Sequence, residues 1–167
     1  MDGTLPATLA NSVTSAPVAG DVARGIRRLF ARNDIWCTEE VALKNGRRAD
    51  LMGIDARGQV IIVEIKVARG DLLGDSKWPD YLDFCDRFFW GVPPCLDRAP
   101  LETEGFSPAR SGIIVADGYD AEILRQAPLE PIAAARRKVL VERLARIAMR
   151  RNTALADPEC AQFGGEQ

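Results

Sequence analysis

Residues 60–65, Val-Ile-Ile-Val-Glu-Ile, constrain the fold more than any other stretch of the chain. Strand side chains alternate between faces, so this run of β-branched aliphatics presents apolar groups on both sides. Such a strand belongs in the middle of a sheet with a layer packed against each face. Val60 and Ile62 share one face with Glu64 and Lys66, and Ile61, Val63 and Ile65 share the other. The charges are the difficulty. Burying them costs several kcal/mol unless they are paired or bound to something.

The segment before it, Arg47–Ile54, reads as a second strand, and Asp55-Ala56-Arg57-Gly58 as the turn between them: a hairpin. If the turn sets the register, Asp50 falls beside Glu64. Two carboxylates that close repel unless a cation sits between them. A hard divalent ion takes oxygen ligands, and an adjacent lysine positions water or stabilises charge developing on phosphate. This chemistry suits phosphodiester hydrolysis without histidine. The competing reading is a strand-end salt bridge reaching solvent, in which Lys66 neutralises the acids and no metal binds.

Composition narrows the field. The chain has 167 residues and no histidine, which excludes Ser-His-Asp and Cys-His catalysis and histidine-containing zinc sites. Cys37, Cys85, Cys95 and Cys160 form no C-x-x-C pair and read as reduced thiols, with a cytoplasmic location. No run approaches the roughly 18 apolar residues of a membrane helix, so no membrane partner is expected. The net charge of −2 confines any polyanion binding to local patches.

Around the hairpin, residues 20–33 read as a helix and 35–43 as a strand. Residues 68–85 read as helical with a break near Gly74, 87–92 as an aromatic strand and 111–118 as another strand. Residues 119–127 suit an edge strand, and a closing basic helix spans 132–151. The order predicts an α/β (α+β) protein, a central mixed β-sheet flanked by helices. The expected organisation is a flexible arm over 1–18, one domain over 19–152 and a disordered tail over 153–167.

Asp50, thirteen intervening residues and then Glu64-x-Lys66 on a hairpin preceded by a helix resembles the PD-(D/E)XK nuclease superfamily, with its restriction-endonuclease-like fold. More narrowly, "GRRAD", "VEIKVARGDLLGDSKWPDYLDFCDRFFWGVP" and "GIIVADGYDAEILRQAP" are similar to the MmcB-like DNA repair family, over roughly residues 20–150. That resemblance implies a metal-dependent DNA nuclease, a hydrolase acting in DNA repair with one or two Mg2+ (or Mn2+) ions. Asp50 and Glu64 would be metal ligands, the Ile65 carbonyl a third, and Lys66 the catalytic lysine. An acidic residue from the first helix, Asp21, is a weaker candidate ligand. Ala49 stands where the motif's proline would be. The alternative is a catalytically inactive module of the same fold that binds DNA or recruits a repair protein.

Further candidates come from position. Glu39 and Glu40 lie on the first strand, and alternation lets only one of them face the site. Arg47, Arg48 and Lys77 flank it and suit phosphate contacts, giving structure- rather than sequence-specific DNA binding. Trp78 reads as core, Asp80 as a first-turn helix charge, and Asp71 and Asp75 as solvated helix residues. A homodimer is compatible with cutting two strands, though no residue pattern demands one.

Overall fold

The computed structural model describes residues 18–163, so the arm expected over 1–18 lies, apart from Val18, outside the described residues. Helix α1 is Ala19–Arg32, followed by β1 (Trp36–Ala42), β2 (Arg48–Ile54) and β3 (Val60–Ile65). Then come α2 (Arg69–Gly74), β4 (Arg87–Val92), β5 (Gly112–Ala116), β6 (Ala121–Arg125) and α3 (Ala134–Ala156). The six strands form one sheet in sequence order. β1, β2 and β3 are antiparallel, β3 to β5 run parallel, and β6 returns antiparallel at the far edge. The result is the expected mixed α/β sheet, consistent with a restriction-endonuclease-like fold.

Every residue of β3 is buried, as its composition requires. On one face, Leu51, Ile61, Val63, Phe89 and Ile114 pack with Val22, Ile26 and Phe30 of α1. On the other, Met52, Val60, Ile62, Phe88 and Trp90 pack with Trp78, Tyr81 and, from α3, Leu140 and Leu144. Burying a large aliphatic side chain contributes about 1.5–3 kcal/mol. The aliphatics of β3 together therefore outweigh the cost of one imperfectly paired carboxylate. Two glycines carry specific geometry: Gly58 closes the β2–β3 turn at φ 75°, a left-handed conformation. A Cβ on Gly25 would stand 2.3 Å from the Asp117 carbonyl oxygen, so α1 lies tight against the β5–β6 turn.

Two expectations need correction. The break near Gly74 exists, but the segment after it, Trp78–Phe84, is a 3-10 helix and not a continued α-helix. Side chains three apart eclipse in a 3-10 helix, which delivers both Trp78 and Tyr81 to the same core face. The tail expected to be disordered is ordered over much of its length: α3 continues to Ala156 and a 3-10 turn spans Pro158–Gln162. The Ala- and Arg-rich sequence favours helix locally. Arg151 also anchors α3 by donating to Thr38 Oγ1 and to the backbone carbonyls of Glu39 and Glu40. The four cysteines are free thiols. Among the described residues no helix is long and apolar enough to cross a membrane.

Candidate active site

The hairpin register comes out as its turn requires. The β2–β3 ladder ends at Leu51↔Val63, and one step further sets Asp50 across from Glu64. Both project on the face carrying the 78–84 segment and α3, as Met52 and Ile62 do. Asp50 Oδ2 accepts a hydrogen bond from the Ile65 N–H at 2.7 Å. Glu64 is 6% exposed. Its Oε1 lies 3.2 Å from Lys66 Nζ, and its buried Oε2 has no partner. Lys66 Nζ also meets Asp75 Oδ2 at 2.8 Å, so one ammonium bridges two carboxylates. Tyr81, buried beneath them, donates its hydroxyl to the Arg48 carbonyl at 3.2 Å.

The electrostatics follow from this crowding. Burial raises the Glu64 pKa, Asp50 adds repulsion and Lys66 offsets only part, leaving it at about 7. Burial also raises Asp50, against the lowering effects of the Ile65 N–H and Lys66. For Lys66, burial favours the neutral amine, but Asp75 and Glu64 outweigh it and hold the ammonium. Burial and the nearby charges of Glu64, Asp50 and Asp75 push the Tyr81 phenol up, so it stays protonated. The two raised pKa values and the orphaned oxygen show negative charge here that the protein compensates only in part.

The other sequence candidates separate. Glu40 lies opposite Asp50 from β1, between the pairs Glu39↔Leu51 and Val41↔Ala49, and adds repulsion to Asp50. Its φ of 53° is left-handed, a strained state for a glutamate, and Arg151 holds the carbonyls around it. Glu39 turns the other way and pairs with Arg27 of α1 at 2.7 Å. Asp21 does not join the site: it sits on α1, across the sheet, against Arg24 and Gly118. Arg47 is engaged by Asp80, with Nε and Nη2 at 3.0 and 2.9 Å from Oδ2, and Arg48 pairs with Glu40. Both arginines therefore reach a phosphate only by sharing or leaving a carboxylate. Lys77 is exposed at the start of the 3-10 segment. Trp78 is core, as expected.

Asp75 corrects a sequence expectation, because it is an inward partner of Lys66 and not a solvated helix residue. Tyr81 was also missed as a site neighbour. Asp75 follows the helix break at Gly74, and that break was its only sequence signal. Tyr81 was indistinguishable from a core aromatic.

Metal binding can be judged from the donors. Asp50, Glu64 with its orphaned Oε2, and the Ile65 carbonyl make an all-oxygen set, and magnesium commonly binds through one or two carboxylates plus waters. Among the described residues no group of three or more His, Cys, Asp or Glu is arranged to hold an ion by itself. The residues thus fit a hard dication that keeps waters and shares substrate oxygens. A groove of about 370 Å³ between β1, β2 and α3 is apolar and lies toward Trp36 and Ile54, away from the acids.

The chain matches the family model described as DNA repair protein MmcB-like over residues 8–159. It is similar to the solved structure of a protein of unknown function from Silicibacter pomeroyi, at 40% identity and a TM-score of 0.75. The match covers 89% of this chain and 97% of that one. No match is found among curated proteins.

Proposed function

Because the chain belongs to the MmcB-like family of DNA repair proteins, we propose that it is a metal-dependent nuclease acting on DNA structures during repair. One observation supports this above the others: Glu64 is buried at the sheet rim beside Asp50, with an oxygen that nothing in the protein satisfies. Leaving such a group unpaired costs about 1–3 kcal/mol, more when it is charged, and a cation would recover it. Asp50, Glu64 and the Ile65 carbonyl would hold one or two Mg2+ or Mn2+ ions. When bound, such an ion supplies charge neutralisation at the scissile phosphate and a more acidic water.

The protein's own groups do the rest. Lys66, kept charged by Asp75 and Glu64, is placed to donate to a phosphate oxygen or orient the attacking water. Asp50 is fixed by its bond to Ile65, which holds both acids in register. Tyr81 ties the 78–84 segment to the start of β2 beneath them. Arg47, Arg48 and Lys77 would meet the backbone of the substrate without reading bases.

A second reading has its own support. Lys66 already neutralises two carboxylates, and no three-ligand cluster is present among the described residues. A non-catalytic DNA-binding or partner-recruiting module would look like this too. A cleavage panel of duplex, flap, junction and crosslinked DNA with Mg2+ and Mn2+ separates them. We expect cutting that EDTA abolishes and that Lys66→Ala reduces by about 100-fold or more, with an unchanged circular dichroism spectrum. Cutting that survives in Lys66→Ala defeats the mechanism. Salt-sensitive binding with no cutting by any metal favours the module.

A further inference from the structure

Lys66 is gripped by a residue from outside the hairpin. Asp75 follows α2 directly, and the buried Leu72 seats that helix against the core. Asp75 Oδ1 accepts from the Lys77 N–H at 3.2 Å, a local turn that orients the carboxylate from its own loop. Its Oδ2 is left to Lys66 Nζ at 2.8 Å. The Lys66 and Asp75 side chains are 13% and 14% exposed, so this is not one of the solvent-screened pairs that contribute little.

Lys66 has two partners, and the distances rank them. Charge-assisted N–H···O bonds run at about 2.7–2.9 Å. The contact with Asp75 falls in that range, and the one with Glu64 Oε1, at 3.2 Å, does not. Asp75 is the principal partner. The charges agree with this ranking. When all four groups are ionised, pairing Lys66 with Asp75 leaves two negative charges on Asp50 and Glu64, the number that a divalent cation neutralises. Without Asp75, Glu64 is the one carboxylate within salt-bridge distance of Nζ among the described residues. A cation arriving at the acidic pair would then meet an ammonium with no other carboxylate to turn to, and stripping a buried charge of its partner is costly.

We propose that Asp75 is a positioning residue for the acidic pair: it holds the Lys66 ammonium so that Glu64 is free to take a divalent cation. The inference rests on the metal reading of Asp50 and Glu64 and extends it to the loop after α2. In this role Asp75 acts through Lys66 and is not itself a ligand. Lys66 and the cation become compatible neighbours where they would otherwise compete for one carboxylate.

The test is a Mn2+ titration of the full chain, followed by calorimetry and by the electron paramagnetic resonance of free Mn2+, so that no catalysis is needed. We expect Asp75→Asn and Asp75→Ser, which both keep an acceptor for the Lys77 N–H, to weaken Mn2+ binding about tenfold or more. Asp75→Glu, which keeps the charge, should stay within about threefold of wild type. In a Lys66→Met background, Asp75→Asn should cost no more than about threefold, because no ammonium remains to be held. Circular dichroism in EDTA verifies that each variant is folded. Unchanged affinity in both neutral variants, or equal losses with and without Lys66, overturns the inference while the metal reading stands. No Mn2+ binding by the wild-type chain overturns the metal reading and this inference with it.

Discussion

Two buried carboxylates sit at opposite ends of β3, and the protein treats them differently. Asp86, fully buried, accepts from the N–H groups of Val60 and Ile132 and from the guanidinium of Arg137. Burial alone would raise its pKa, but those donors outweigh it and lower it. Glu64, at the other end, has one ammonium on one oxygen and nothing on the second, and its pKa stands at about 7. Asp86 ties β3 to the start of α3, where satisfied charge stabilises the fold. Glu64 is held in a state the fold alone does not favour, as a group kept for binding would be.

The comparison is open to attack, beginning where the effect is largest. Asp86→Ala strands the Arg137 guanidinium and the N–H groups of Val60 and Ile132, and should cost about 3–5 kcal/mol in urea unfolding. A cost below about 1 kcal/mol would erase the distinction. Glu64→Gln should do the opposite. In EDTA at pH 8 the variant should be more stable than wild type by roughly 1–2 kcal/mol, less than the roughly 3 kcal/mol implied by a pKa moved from 4.5 to about 7, because Lys66 loses a partner.

The pH dependence sharpens the same point. With a folded pKa above its unfolded one, Glu64 makes the folded state bind the extra proton, so its penalty disappears as pH falls from above 7 toward 4.5. The stability gap between Glu64→Gln and wild type in EDTA should therefore close between pH 8 and pH 5. No histidine titrates in that window. Asp86, with a lowered pKa, contributes above its unfolded value of about 3.8 and loses its contribution only in stronger acid. A gap that stays constant from pH 8 to pH 5 would mean that Glu64 is ionised throughout.

What the sequence made legible is the part set by short-range periodicity. The run 60–65, the turn at Gly58 and the aromatic strand 87–92 were readable from alternation and turn chemistry, and with them the pairing of Asp50 and Glu64. The parity of β1 showed that Glu39 and Glu40 must part, but only the hairpin's packing determined which faces Asp50. Asp75 was beyond reach because a loop, not a period, returns it to Lys66. The end of α3 was missed because Leu155 is 84% exposed: that helix turn persists through local propensity, and no apolar stripe announces it.

The hydrogen bond from Ile65 to Asp50 has an evolutionary consequence. A side chain here takes the partner role that a neighbouring backbone carbonyl would normally fill in a ladder. A slip of one residue in the hairpin would unseat this contact and turn Asp50 to the opposite side of the sheet from Glu64. Correct folding of the hairpin and assembly of the acidic pair are therefore one event, and a mutation in the 55–59 turn would be judged by selection on both counts at once.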